Sequence, residues 1–149
     1  MNKEKFWAII PARAGSKGVI NKNIKDFCGS SLLERCINTL NESKCFEKII
    51  VSSDSSEILN IAEACGAEAY KRNDNNESLD HIMTDIPVAS LLKNIPKNQR
   101  PSFSFMIQCT APFISYKRYV EACEVLKKNP NLTVFAASSA HQFLWDESD

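Results

Sequence analysis

The stretch AIIPARAGSKGVINKN, residues 8–23, decides the fold, because a short apolar run ends there in a loop that contains glycines and cations. The apolar run predicts a buried strand over Phe6 to Pro11. A glycine-containing turn after a strand lets backbone N–H groups approach an anion, and Arg13, Lys17 and Lys22 add charge that can follow a polyphosphate. The loop therefore predicts a phosphate site, with an ordinary basic surface turn as the alternative.

Apolar runs and helical patterns alternate along the rest of the chain. Strands are predicted over Phe6 to Pro11, Lys48 to Ser53, Glu68 to Tyr70, Phe103 to Gln108 and Thr133 to Ser138. Helices are predicted over Ser31 to Asn41, Ser55 to Cys65 and Ser115 to Lys128, with another that begins at Thr84 or Asp85. This order predicts an α/β fold of three layers, α/β/α, in which helices cover both faces of a mainly parallel sheet.

Ligands of such sheets bind beyond the carboxyl ends of the strands. This rule predicts that three segments meet at one edge of the sheet: Ala12 to Asn23, Ser52 to Ser55 and Gln108 to Phe113. Within them, the position of Gln108 at the end of an apolar strand favours substrate binding over a structural hydrogen bond. For Asp54, a carboxylate that caps a helix or braces a loop is favoured over a metal ligand.

Composition and charge exclude several classes of partner. The chain of 149 residues has 18 basic and 18 acidic side chains, so no global field indicates nucleic acid or an anionic membrane. No apolar run is long enough to span a bilayer and no signal-peptide pattern is present, which predicts a cytoplasmic protein.

The six cysteines lack a CxxC pair and are expected to be small buried thiols rather than nucleophiles or metal ligands. His81 and His141 are isolated, which argues against zinc.

Several motifs together resemble the N-acylneuraminate cytidylyltransferases, the CMP-sialic acid synthetases, which include the pseudaminic and legionaminic acid cytidylyltransferases. The first are IIPARAGSKG at 9–18, KN at 22–23 and GSSLLERCINTL at 29–40. KIIVSSDSSEI at 48–58 and IQCTAPF at 107–113 resemble later family motifs, in the same order. The resemblance implies a nucleotide-diphospho-sugar transferase (Rossmann-like) fold, and we expect one nucleotidyltransferase domain over residues 1–149.

The resemblance also implies a reaction, in which CMP passes from CTP to the anomeric hydroxyl of an acidic nine-carbon sugar and pyrophosphate is released. Such transfer depends on positioning and on neutralising the triphosphate. Arg13 and Lys22 match the catalytic cations that contact the triphosphate, and Gln108 matches the glutamine that faces the sugar acceptor. The product would feed the synthesis of surface glycans.

Four further residues match positions that bind the nucleotide in the family: Ser16, Asn23, Arg72 and Thr84. For two of them the residues themselves leave an alternative open. Arg72 could be a solvated surface arginine. Thr84 could be no more than the cap of the predicted helix.

Family members usually continue beyond this length, through a segment that clasps a partner subunit and an aspartate pair that binds Mg²⁺. We therefore expect Mg²⁺ as cofactor with its ligands beyond residue 149, and a homodimer as the state of the family. Two other functions stay open. One is a nucleotidyltransferase for 3-deoxy-manno-octulosonate, and the other is a non-catalytic nucleotide-binding module.

Overall fold

The computed structural model describes residues 4–15, 18–72 and 83–137. Its strands are β1 Phe6–Pro11, β2 Asp26–Phe27, β3 Ser30–Ser31, β4 Lys48–Ser53, β5 Glu68–Lys71 and β6 Phe103–Met106. Its helices are α1 Leu32–Ser43, α2 Ser56–Ala64, α3 Asp85–Asn94 and α4 Tyr116–Lys128, with a 3₁₀ turn at Lys97–Gln99. In the ranges described, no helix has the length and apolar character needed to cross a membrane.

Four of the strands form a parallel sheet in the order β5-β4-β1-β6. Ile9 in the central strand β1 lies opposite Ile50 of β4 on one side and Met106 of β6 on the other. Because all four strands run the same way, their carboxyl ends meet at one edge of the sheet. The predicted parallel α/β architecture is confirmed.

One face of the sheet is covered by α1, α2 and α4. Ala8 and Ile10 point to this face and belong to a buried cluster with Leu33 and Ile37 of α1 and Tyr119 of α4. Successive strand residues point to opposite faces, so these two residues share a side. The apolar positions of α1, spaced three and four apart, supply the matching stripe.

The opposite face of the sheet is covered by α3. Trp7 and Ile9 of β1 point to this face with Ile50 of β4, and they pack against Val88 and Leu91 of α3. Continuous apolar strands are typical of parallel sheets, because both faces must be buried. The predicted three-layer arrangement is therefore confirmed.

Two local features differ from the sequence prediction. Residues 133–137 form no strand, although Thr133 to Ser138 was predicted as one; Ser138 itself lies outside the described residues. Strand-like composition does not create a strand unless a neighbour accepts the ladder hydrogen bonds, and this segment pairs with none of the described strands. The short hairpin of β2 and β3 was not predicted, since two residues per strand are too few to show periodicity.

Candidate functional site

The loop at residues 12–23, here called the first loop, leaves β1. The structure describes its residues 12–15 and 18–23, and the first of these lie against the end of β4. The Ala12 N–H donates to the Ser52 carbonyl at 3.0 Å, which extends the pairing of the two strands past Pro11. Gly15 follows with φ +73°, a conformation that side chains with a Cβ rarely adopt. The glycine thus allows the sharp turn that the sequence predicts there.

A single peptide group of the first loop is held from both sides. The Arg13 carbonyl accepts a hydrogen bond from Asn23 Nδ2 at 3.2 Å, and the Ala14 N–H donates to Asp54 Oδ1 at 3.1 Å. Asp54 directly follows β4, whereas Asn23 lies at the end of the first loop. The preferred interpretation of Asp54 as a loop-bracing carboxylate is confirmed.

Asn23 also connects the first loop to the exit of β6. The side chain is only 7% exposed, and its Oδ1 accepts a hydrogen bond from the buried Cys109 Sγ at 3.3 Å. Burial raises the pKa of the Cys109 thiol to about 11, so the thiol keeps its proton at neutral pH and can donate it. The Asn23 carbonyl accepts from the Leu33 N–H at 2.9 Å, which links the loop to the start of α1. A nucleotide contact by Asn23 stays a prediction.

These contacts confirm that three predicted segments meet at one edge. Residues 12–23 contact residues 52–55 through Ala12 and Ala14, and they contact the segment after β6 through Asn23. The rule for parallel sheets places the segments together, but the side chains that join them were not predictable from their types alone.

Arg72 lies at the same edge, directly after β5, and is only 4% exposed. Its Nε donates to Ser52 Oγ at 3.1 Å and its Nη2 donates to the Ser52 carbonyl at 2.9 Å. The alternative interpretation as a solvated surface arginine is therefore wrong, because β5 brings residue 72 inward against the end of β4. Sequence analysis missed Ser52 as the partner, since a serine inside an apolar strand carries no distinctive signal.

Lys71 is a second basic residue at this edge that sequence analysis missed. Its Nζ donates to the Asp54 carbonyl and lies 3.5 Å from Ser56 Oγ. The alternation of side chains along β5 explains why Lys71 and Arg72 reach different partners. The sequence signal that could have identified Lys71 is its place beside Arg72, as one of two consecutive basic residues at the end of a strand.

The other predicted residues are in the first loop, before α3 and after β6. Lys22 is exposed and Arg13 is half-buried in the first loop, while Ser16 lies outside the described residues. Thr84 occupies the N-cap position of α3, as the cap interpretation requires, but in the part of the chain that the structure describes its hydroxyl makes no capping hydrogen bond. Gln108 is exposed just beyond β6.

Gln108 lines a groove of about 1160 Å³ between β6, α4 and residues 132–137. Apolar side chains form much of its surface, including Met106, Phe113 and Phe135. Arg118 of α4 also lines it and pairs with Glu121 at 2.7 Å. The groove therefore combines the polar Gln108 after β6 and an ion pair on α4 with a largely apolar surface.

The described residues bear on metal binding and on the state of the cysteines. Among them, no three His, Cys, Asp or Glu side chains gather where they could hold a metal ion. The resemblance places the Mg²⁺ ligands beyond residue 149, so Mg²⁺ binding stays a prediction. Cys36 and Cys123 are buried, and burial raises the pKa of each thiol to about 12. The expectation of buried thiols is wrong for Cys28, which is exposed in the turn between β2 and β3.

Comparison with known proteins identifies the family. A family model described as cytidylyltransferase matches residues 7–143. The chain belongs to the cytidylyltransferase family. It is 34% identical over 131 residues to a pseudaminic acid cytidylyltransferase from Campylobacter jejuni, covering 87% of this chain and 56% of that protein.

A second relative is a Helicobacter pylori protein named as pseudaminic acid cytidylyltransferase and UDP-2,4-diacetamido-2,4,6-trideoxy-beta-L-altropyranose hydrolase. The family member described here is 47% identical to it over 124 residues, which are 83% of this chain and 24% of that protein. The chain thus spans about half or less of the length of these curated relatives.

The solved structure of a CMP:2-keto-3-deoxy-manno-octonic acid synthetase complexed with CTP matches with a TM-score of 0.72 at 19% identity. The match covers 86% of this chain and 49% of that one. At this level of identity the likeness establishes the nucleotidyltransferase fold alone.

Proposed function

We propose that this chain binds CTP and supports the transfer of CMP to a sialic-acid-like nonulosonic acid, with release of pyrophosphate. One observation carries the proposal: the first loop, with Arg13 and Lys22, is held at the sheet edge where Arg72 and Gln108 also lie. The names of the Campylobacter and Helicobacter relatives support a pseudaminic-acid-type acceptor.

The reaction requires the acceptor hydroxyl oxygen to attack the α-phosphorus of CTP while the bond to pyrophosphate breaks. Negative charge collects on the departing pyrophosphate, so cations held near it lower the barrier. Arg13 and Lys22 supply such charge in the proposal, and the turn at Gly15 lets the backbone approach the phosphates closely. Gln108 would orient the acceptor from the exit of β6.

Mg²⁺ stays a prediction from the family resemblance. The described residues offer no cluster of carboxylates to hold it. The proposed roles of Arg13, Lys22 and Gln108 depend on charge and hydrogen bonding from the chain itself. The homodimer also stays a prediction, which light scattering can test.

The experiment measures pyrophosphate release with Mg²⁺, each of the four nucleoside triphosphates, and a panel of acidic sugars. The panel contains pseudaminic, legionaminic and N-acetylneuraminic acids together with 3-deoxy-manno-octulosonate. We expect release with CTP and a nonulosonic acid only. Release with 3-deoxy-manno-octulosonate alone would transfer the assignment to that alternative.

A calorimetric titration with CTP separates an enzyme from a non-catalytic nucleotide-binding module. Binding of CTP without pyrophosphate release, with any sugar of the panel, would support the module. Absence of CTP binding by a folded sample would contradict both assignments.

A further inference from the structure

We propose that Asp54 is a positioning residue: with Asn23 it clamps the Arg13–Ala14 peptide group and thereby holds the first loop ready for the nucleotide's phosphates. The inference rests on the proposed function for its effect on CTP, but the clamp itself is a property of the fold. The sequence interpretation of Asp54 as a brace left open what it braces and to what end.

The two hydrogen bonds act on the same rigid unit. A trans peptide group is planar, so the Arg13 carbonyl and the Ala14 N–H lie in one plane and point in opposite directions. Asn23 Nδ2 holds the carbonyl at 3.2 Å and Asp54 Oδ1 holds the N–H at 3.1 Å. Holding both groups limits the orientation of this peptide plane, and with it the backbone conformation between Arg13 and the turn at Gly15.

Both residues of the clamp are themselves anchored. Asn23 is almost completely buried and is held by Cys109 and by the Leu33 N–H. Asp54 lies between the fully buried Ser53, whose Oγ accepts from the Ser55 N–H at 3.0 Å, and the start of α2. The clamp therefore joins the first loop to elements that pack in the core, and such supporting contacts keep a binding site in its productive geometry.

The negative charge of Asp54 has two opposite effects on the binding of a triphosphate. A carboxylate beside a loop that binds triphosphate repels the ligand, so its negative charge alone opposes binding. A hydrogen bond from a backbone N–H to a carboxylate is stronger than one between neutral groups, which offsets this repulsion by ordering the loop. Lys71, which donates to the Asp54 carbonyl, adds a compensating cation nearby.

Two substitutions at the same residue separate positioning from charge. Asp54→Ala removes the acceptor and the charge, whereas Asp54→Asn removes the charge but retains an oxygen that can accept from Ala14. If Asp54 acts only as a nearby charge, both variants bind CTP more tightly than the wild type. If it positions the loop, only Asp54→Ala binds more weakly.

The experiment determines the CTP dissociation constant by calorimetry for the wild type, Asp54→Ala, Asp54→Asn and the control Glu57→Ala. Glu57 is an exposed carboxylate in the first turn of α2. We expect Asp54→Ala to bind about tenfold more weakly, the effect of one lost hydrogen bond of the charged class. Asp54→Asn and Glu57→Ala should stay within about twofold of the wild type.

A second readout tests the clamp without CTP. In ¹⁵N-labelled protein, Asp54→Ala should shift the Ala14 amide resonance and speed its hydrogen exchange, while Asp54→Asn should preserve its protection. An Ala14 amide unchanged by Asp54→Ala overturns the proposal, whatever CTP does. If the wild type fails to bind CTP but the amide responds as expected, the proposed function fails and the clamp stands.

Circular dichroism and the thermal midpoint establish that each variant is folded. If Asp54→Ala does not fold, Asp54→Glu replaces it, because it keeps the charge and moves the carboxylate by one methylene. Positioning then predicts weaker binding and an altered Ala14 amide. Unchanged binding together with an unchanged amide would overturn the proposal.

Discussion

The two sides of the sheet edge are built very differently. Around β1, β4 and α1, the first loop is tied to its neighbours by backbone and side-chain hydrogen bonds. Of the partners, Asn23 and Ser52 are buried and Asp54 is half-buried. Around β6 and α4, a groove opens and apolar side chains such as Phe113, 89% exposed, face outward. Among the described residues, the first loop is thus held in place by its neighbours, whereas the groove beside β6 is lined in part by exposed apolar side chains.

The largest expected effect compares the central strand with the strand beside the groove. Ile9 in β1 is fully buried, while Met106, its neighbour in β6, is 44% exposed. Ile9→Ala should lower the free energy of unfolding by about 2–5 kcal/mol, and Met106→Ala by about 1 kcal/mol or less. Urea denaturation followed by circular dichroism measures both. Equal losses would show that β6 is packed as tightly as β1.

The next effect concerns the cations of the first loop. Arg13→Ala and Lys22→Ala should each weaken CTP binding by about 10- to 100-fold, because each removes a charged partner of the phosphates. Lys97→Ala is the matched control, since Lys97 is exposed and precedes β6, on the opposite edge of the sheet. Calorimetry gives the dissociation constants. If Arg13→Ala and Lys22→Ala are both folded and each binds CTP as tightly as the control, the proposed function is refuted.

A smaller effect compares the starts of α1 and α4. Ser31 caps α1 reciprocally: its Oγ accepts from the Glu34 N–H at 3.2 Å, and its N–H donates to Glu34 Oε2 at 2.6 Å. Ser115 occupies the same position before α4, but within the described ranges its side chain makes no capping bond. Ser31→Ala should cost about 1 kcal/mol of unfolding free energy, and Ser115→Ala less than about 0.5 kcal/mol. Similar losses from urea titration would contradict this contrast.

The smallest effect is a pH dependence on the α1 side. Hydrogen bonds from Ser31 lower the pKa of the Glu34 carboxyl below its usual 4.5. A carboxyl whose pKa is lower in the folded state than in the unfolded state stabilises the fold at any pH above its unfolded-state pKa. This stabilisation is lost as the pH falls through the folded-state pKa. The wild type should therefore lose more stability than Glu34→Gln between about pH 5 and pH 3. Parallel pH profiles in urea titrations would show that the capping carboxylate contributes nothing.

Much of this site was predictable from local pattern. The parallel order of strands places residues 12–23, 52–55 and 108–113 at one edge, as the structure confirms. The phosphate loop that the glycine and cations predict after the apolar run stays a prediction. The position of Asp54 just after a strand suggested a metal ligand, but a carboxylate that caps a helix or braces a loop was the favoured interpretation. These inferences could be made from the sequence because none of them depends on knowing which side chains contact each other.

Other features depend on partners that no local pattern reveals. The burial of Arg72 follows from the pairing of β5 with β4, which places its guanidinium against Ser52. The strand predicted over Thr133 to Ser138 fails in residues 133–137 for the same kind of reason, because composition favours an extended chain but does not supply a neighbour.

The sequence by itself determined the alternation of strands and helices and the basic, glycine-containing turn after β1, since both depend on residues close together in the chain. Only the tertiary structure decided which groups hold that turn. Asp54 reaches Ala14 across 40 residues and Cys109 reaches Asn23 across 86. Hydrogen bonds between such distant residues form only after the sheet has brought their strand ends together, so the orientation of the first loop is a property of the folded chain.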